Sequence, residues 1–285
     1  MSNAIFRQYT FDDSFLQVYV PTKLLKEYQI ALIFATDYDD NGNPTNGIFH
    51  IYWDQTKVTP SSIQRFKKSN PDVPLKVFIT IGDRHPNHPF HPIDNHSWIS
   101  NATKSLTAII QNADYDLSVN GIDVFYQHID AHPDDFALCI GQLITNLKAA
   151  QVISVASISP SASVNKDYYF SLYGMFDKFI EWVDYQFQNE ESFVASPDDL
   201  KVRFNALVSE FYPIRKLIAG YSAENEDWAK LSPIIFFLAG SDLFNNRNKK
   251  KKVSGFSILY HNYGDSSATT STSPACSSSS ASPPT

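Results

Sequence analysis

A repeated switch of hydrophobic period constrains this chain more than any other feature. Eight short apolar runs, rich in β-branched and aromatic residues, recur at residues 5–9, 29–36, 76–81, 121–128, 153–159, 179–187, 216–221 and 254–260. Between most of them the apolar residues fall at helical spacing instead. Thr59-Pro60-Ser61-Ser62 offers a cap and a first-turn proline, with Ile63 and Phe66 on the apolar face that follows. Leu106, Ile109 and Ile110 mark a second helix, and residues 134–147 a third, with Phe136, Ile140, Leu143, Ile144 and Leu147 at helical spacing. Ser196-Pro197-Asp198-Asp199 opens another, along which Leu200, Phe204, Leu207 and Phe211 recur. Strand alternating with helix predicts a parallel sheet, and eight such repeats in 285 residues predict a single (β/α)8 TIM barrel.

Within the fourth strand, Asn120-Gly121-Ile122-Asp123-Val124-Phe125-Tyr126-Gln127-His128 says most about function. Strand side chains alternate faces. Ile122, Val124 and Tyr126 form one apolar face suited to helices, while Gly121, Asp123, Phe125 and Gln127 turn toward the barrel axis. The segment resembles the D-G-x-D-x-D-x-E signature of glycoside hydrolase family 18, the chitinases and their relatives. Asn120 stands where the first Asp would be and Asp123 where the second would be. Phe125 replaces the third Asp, and Gln127 replaces the Glu that is the family's general acid.

The resemblance implies a chemistry in which the substrate's own N-acetyl oxygen attacks the anomeric carbon. The protein then supplies a proton donor and a carboxylate that orients the acetamido group. Gln127 donates a hydrogen bond but releases no proton. Losing a general acid costs ~10²–10⁴ in rate, and losing one electrostatic stabiliser, as at Phe125, roughly 10²–10³. Asp123 lies about 13 Å below Gln127 along an extended strand, too far to protonate the same leaving group. Asp130, His128 and His132 sit in the following loop and read as solvated residues.

Further matches extend over roughly residues 4–265. Ile5-Phe6-Arg7-Gln8-Tyr9, Phe49-His50-Ile51-Tyr52-Trp53-Asp54, the run from Phe136 to Ile144 and Trp182-Val183-Asp184-Tyr185-Gln186-Phe187 look like the plant narbonin, Rubisco-associated and chitinase-2-like group. Other active-site positions depart from the chitinase pattern. Asp83 stands in the S-x-G-G position of the third strand, Gln188 follows Gln186 and Phe187 where the sixth-strand Tyr should be, and Leu259 or Tyr260 takes the place of the eighth-strand Trp. No catalytic residue is therefore expected intact. A sugar groove, if retained, is expected to be lined by Tyr9, Asp83, Tyr126, Gln186, Gln188 and Tyr260. The resemblance implies a non-catalytic chitinase-like protein with a storage or protein-interaction role. A chitooligosaccharide-binding lectin-like module and a residual hydrolase of N-acetylglucosamine polymers are the alternatives.

Composition narrows the partners. A net charge of −7 argues against nucleic acid, whose phosphates need a basic surface. No run is long and apolar enough for a membrane span, and Met1-Ser2-Asn3-Ala4-Ile5 lacks the apolar core of a secretory leader; a cytoplasmic monomer is the expectation. Asn101-Ala102-Thr103 is a glycosylation sequon that such a chain would leave unused. Cys139 and Cys276 are too few for a disulfide framework. His85, His88, His91 and His96 are interrupted by prolines that prevent helical alignment, so an irregular loop is expected, with no metal or other cofactor. Lys249-Lys250-Lys251-Lys252 reads as a solvated turn. Residues 266–285 hold almost only Ser, Thr, Ala and Pro, a composition that cannot bury a core. They are expected to form a disordered tail beside a barrel spanning 1–265 that lacks a normal eighth helix.

Overall fold

Among the described residues nine strands form one sheet in the order β1-β9-β8-β7-β6-β5-β4-β2-β3, and pairing of β1 with β2 closes it. The computed structural model describes residues 4–20, 25–187, 194–210, 212–222, 231–245 and 253–259. The strands are β1 (Ala4–Thr10), β2 (Leu25–Thr36), β3 (His50–Ile51), β4 (Leu75–Ile81), β5 (Val119–Val124), β6 (Val155–Ile158), β7 (Trp182–Gln186), β8 (Leu217–Ser222) and β9 (Gly255–Leu259). Eight of them are parallel and make the barrel; β3 is a two-residue antiparallel addition to the end of β2. The expected (β/α)8 architecture is therefore the observed one, and all eight anticipated strands are present.

Among the described residues six α-helices cover the barrel: α1 (Pro60–Ser69), α2 (Asn95–Ile110), α3 (Pro133–Ala149), α4 (Lys166–Phe176), α5 (Pro197–Glu210) and α6 (Pro233–Asn245). Their starts follow local chemistry. Thr59 and Ser62 exchange side-chain bonds with each other's backbone N–H, which satisfies two otherwise orphaned donors at the head of α1. Ser196 and Asp199 make the same reciprocal pair before α5. After β1 the described residues hold only a short 3-10 helix, Asp13–Gln17.

Two cores result from the alternation. Outward strand residues such as Ile122, Val124 and Tyr126 pack with Phe136, Ile140 and Leu143 of α3 in the large core between strands and helices. Tyr9, Ala31, Ile33, Phe34, Phe78, Phe125, Val155 and Leu259 form a smaller cluster inside the barrel. Several expected strand limits shift, three of them by three residues or more; β2 begins at Leu25 rather than at Gln29. β5 ends at Val124, although the Phe125 and Gln127 N–H groups still donate to Ile81 and Asp83 carbonyls at 2.8 and 3.1 Å. The sixth barrel strand begins at Trp182, because Asp177–Phe179 form a 3-10 turn. The anticipated tail, the eighth-helix position and the lysine run at 249–252 lie outside the described residues.

Candidate functional site

The barrel axis is occupied by a buried ionic cluster. Arg7 on β1 is fully buried, and its Nη1 donates to Asp123 Oδ1 at 2.8 Å and to Asp184 Oδ2 at 3.3 Å. Its Nε donates to Gln29 Oε1 at 2.8 Å, and the guanidinium lies 4.8 Å from the centre of the Phe78 ring. The Nη2 group has no hydrogen-bond partner among the described residues. Closure of the barrel brings these groups together: Arg7 pairs in register with Gln29 on one side and Ser257 on the other.

Asp123 is saturated. Oδ1 accepts from Arg7 and from the Ser157 hydroxyl, while Oδ2 accepts from Tyr9 at 3.0 Å and Ser159 at 2.8 Å. A carboxylate offers about four lone-pair sites, so none is left for a ligand. Asp184 accepts from Ser257 at 2.6 Å and Gln186 Nε2 at 3.0 Å, and its Oδ2 lies 2.9 Å from the Tyr9 hydroxyl, whose single proton it shares with Asp123. With Arg7 the only cation among these three charged groups, the fully ionised set carries one excess negative charge. Burial foremost, with repulsion from Asp123, pushes the Asp184 carboxyl up to about 6 against the pull of Arg7. Burial also raises the Tyr9 phenol well above its ordinary value, keeping it a donor.

One step up the same strand, Phe125 is fully buried. Its ring centre lies 5.7 Å from those of both Tyr9 and Phe34. Two residues further, Gln127 is half-buried in the wall of a cleft of about 490 Å³ on the C-terminal face of the barrel. Pro86 and Pro89 from the loop after β4, and Ser163 with Asn165 from the loop after β6, complete that wall.

The other anticipated groove residues divide. Tyr9 and Gln186 are on the inner face, both buried in the cluster. Asp83 finds local partners: its carboxylate accepts from the Arg84 and His85 N–H groups at 2.6 and 3.1 Å and meets His88 Nδ1 at 2.6 Å. His88 in turn stacks on Tyr38 at 4.7 Å. Tyr126 does not join them. Its place in the outward-facing set puts it against Phe90 and Phe136 on the helix side, where its hydroxyl donates at 3.1 Å to buried Asp37. Trp98 Nε1 holds the other Asp37 oxygen at 2.7 Å. Gln188 and Tyr260 lie outside the described residues. Among the described residues no group of three or more His, Cys, Asp and Glu could hold a metal ion, and no helix is long and apolar enough to cross a membrane.

Reading the sequence for departures from one motif overlooked Arg7, Gln29, Ser157, Ser159, Asp184 and Ser257. The signal was available in the alternation, since Arg7 and Tyr9 share a face of β1, and Asp184 and Gln186 share a face of β7.

The chain is 38% identical over 254 residues to the RuBisCO-associated protein of Glycine max, an alignment covering 85% of this chain and 86% of that one. Chitinase structures from the fern Peteris ryukyuensis and from Crocus vernus are each 30% identical with a TM-score of 0.77, covering 89% and 90% of this chain and 90% and 92% of theirs. The chain belongs to the glycoside hydrolase family 18 chitinase-like group. No family model matches it. Concanavalin B shares the fold at a TM-score of 0.61 and 11% identity, over 90% of this chain and 93% of that one.

Proposed function

We propose that this member of the glycoside hydrolase family 18 group is non-catalytic and has a storage or protein-interaction role. One observation carries the reading. The position that resemblance assigns to the assisting carboxylate is Phe125, fully buried against Tyr9 and Phe34, and the proton-donor position two residues on is Gln127. Asp123, the remaining carboxylate of the motif, is bonded by four donors and committed to Arg7. No group on this strand is then free to protonate a leaving oxygen. The name of the 38% identical soybean relative, a RuBisCO-associated protein, favours protein association over storage.

The test combines a chitinase assay with calorimetric titration of chitotetraose. The expected outcome is no turnover and no binding tighter than about 1 mM. Turnover within about tenfold of an active plant chitinase would overturn the reading, since loss of the acid alone costs ~10²–10⁴. A low-micromolar dissociation constant without turnover would replace it with the lectin-like alternative. Association is tested by co-purification with RuBisCO at physiological salt, and a negative result there favours storage.

A further inference from the structure

An asparagine amide is most easily lost before glycine, because the following nitrogen then carries no side chain to obstruct its attack. The chain has three such pairs, Asn41-Gly42, Asn46-Gly47 and Asn120-Gly121, and the fold treats them differently. Asn46 Oδ1 accepts from the Ile93 N–H at 3.0 Å, its Nδ2 donates to Ser97 Oγ at 2.9 Å, and its carbonyl accepts from Asn101 Nδ2 at 3.1 Å. A side chain on Gly47 would stand 2.5 Å from the Trp98 carbonyl oxygen, so the backbone there is tightly enclosed. Asn120 Oδ1 accepts from the Val77 N–H at 2.9 Å, and Gly121 is buried within β5. At both pairs the amide and the attacking nitrogen are held, and ring closure requires local opening of packed structure.

Asn41-Gly42 is held by no such packing. The pair forms the exposed tip of a hairpin closed by the Tyr38–Pro44 bridge, on the loop that follows β2. The Gly42 N–H donates to the Asp39 carbonyl at 2.9 Å, and the Asp39 carboxylate accepts from the Asn41 and Asn43 N–H groups, each at 2.9 Å. These bonds lie within the tip itself. The nearest atom that a side chain on Gly42 would meet is His88 Nε2, at 3.8 Å. Exposed backbone hydrogen bonds at a loop tip open at little cost, and no core residue moves when they do.

We propose that Asn41-Gly42 is a site of spontaneous deamidation, which adds one negative charge to the C-terminal mouth of the barrel as the protein ages. The Gly42 nitrogen gives its proton to solvent and attacks Asn41 Cγ. The new C–N bond closes a five-membered imide, and the Cγ–Nδ2 bond breaks to release ammonia. Water then opens the ring at either carbonyl, leaving a carboxylate on an ordinary or a β-linked backbone. Nothing is oxidised or reduced. The new charge joins Asp39, Asp40 and Asp83, which already act together on Tyr52: burial foremost, and then these carboxylates, raise its phenol above the ordinary value. The β-linked product also lengthens the backbone by one carbon and breaks the turn that the Gly42 N–H closes.

The full chain is aged in mildly alkaline heavy-oxygen water, natively and in urea, and amide loss at each pair is followed by peptide mapping with mass spectrometry. The label marks each new carboxylate, and the urea sample gives the rate that each pair has without the fold. Folding is expected to slow conversion at position 41 at least about tenfold less than at positions 46 and 120. Asn41→Gln keeps an amide at the exposed tip but removes the five-membered ring closure. With its melting temperature unchanged, it is expected to lose the acidic species that ion exchange separates from the aged native chain. Protection at position 41 within about tenfold of that at either other pair, or an acidic species that persists undiminished in Asn41→Gln, would overturn the proposal.

Discussion

Replacing Arg7 by Met tests whether the barrel interior is held by charge pairing. Met follows much of the aliphatic stem of Arg, so the change removes the guanidinium and leaves little void. It abolishes the bonds to Asp123 at 2.8 Å, Asp184 at 3.3 Å and Gln29 at 2.8 Å, and it leaves two fully buried carboxylates without a cation. Breaking a buried pair from one side costs about 3–5 kcal/mol, because the uncompensated charge stays behind. At roughly 2–4 °C per kcal/mol for a barrel of this size, the melting temperature should fall by about 6–20 °C at neutral pH. The loss should shrink in acid. Without Arg7 the Asp184 carboxyl, already raised by burial, loses its attractive partner and holds its proton to higher pH, so in acid the folded variant sheds a buried charge. Differential scanning calorimetry of both proteins at about pH 4.5 and 7.5 reads this directly. A shift below about 2 °C at pH 7.5, or a gap that is as wide in acid as at neutrality, would refute the ionic account of the interior.

Asp184→Asn should flatten the pH dependence of stability. The folded-state Asp184 carboxyl titrates at about 6, against 3.8 when unperturbed, so between those values the folded state holds the extra proton and stability falls as pH rises. The shift of about two units amounts to about 3 kcal/mol, fully present as a penalty above pH 6 and absent below pH 4; a wild-type-like profile in the variant would contradict the assignment. Phe125→Ala removes a fully buried ring between Tyr9 and Phe34 and should cost ~3–5 kcal/mol by chemical denaturation; a loss under about 1 kcal/mol would mean that the ring fills little space. Gln127→Glu alone should leave chitinase activity undetectable, because Phe125 still occupies the place of the assisting carboxylate; strong hydrolysis by the single variant would show that only the acid is missing.

The strands were legible because closure of a barrel makes both faces of every strand apolar or satisfied, so residues 29–36 and 76–81 stand out as near-continuous runs. The inward and outward faces of β5 were also legible, since Ile122 and Val124 alternate with Asp123 and Phe125. What the alternation does not carry is which inward residues meet. Arg7 and Asp184 are 177 positions apart and touch only because β1 and β7 face each other across a closed ring. A lone Arg in an apolar strand reads as an exposed end residue until closure supplies its carboxylates. Tyr126 shows the opposite failure: its residue type suggests a sugar platform, but the strand period assigns it to the helix side, and the period decides. Asp83 needed a partner in the sequence, and the loop histidines supplied one at His88.

Along β5 and its extension, three consecutive inward positions take on different physical duties with height in the barrel. Asp123 neutralises a cation that the fold itself buries. Phe125, one step higher, is closed off by packing. Gln127, at the rim, is half-buried in the wall of a cleft. A change at the rim therefore leaves the interior undisturbed, whereas a change at Asp123 leaves the buried Arg7, Tyr9, Ser157 and Ser159 donors without the acceptor they share. On the proposed reading, exchange of a proton donor at the rim would leave this ionic interior in place. A surviving motif carboxylate such as Asp123 is consequently no indicator of surviving hydrolysis: its four donors and its pairing with Arg7 give it sufficient reason to be there.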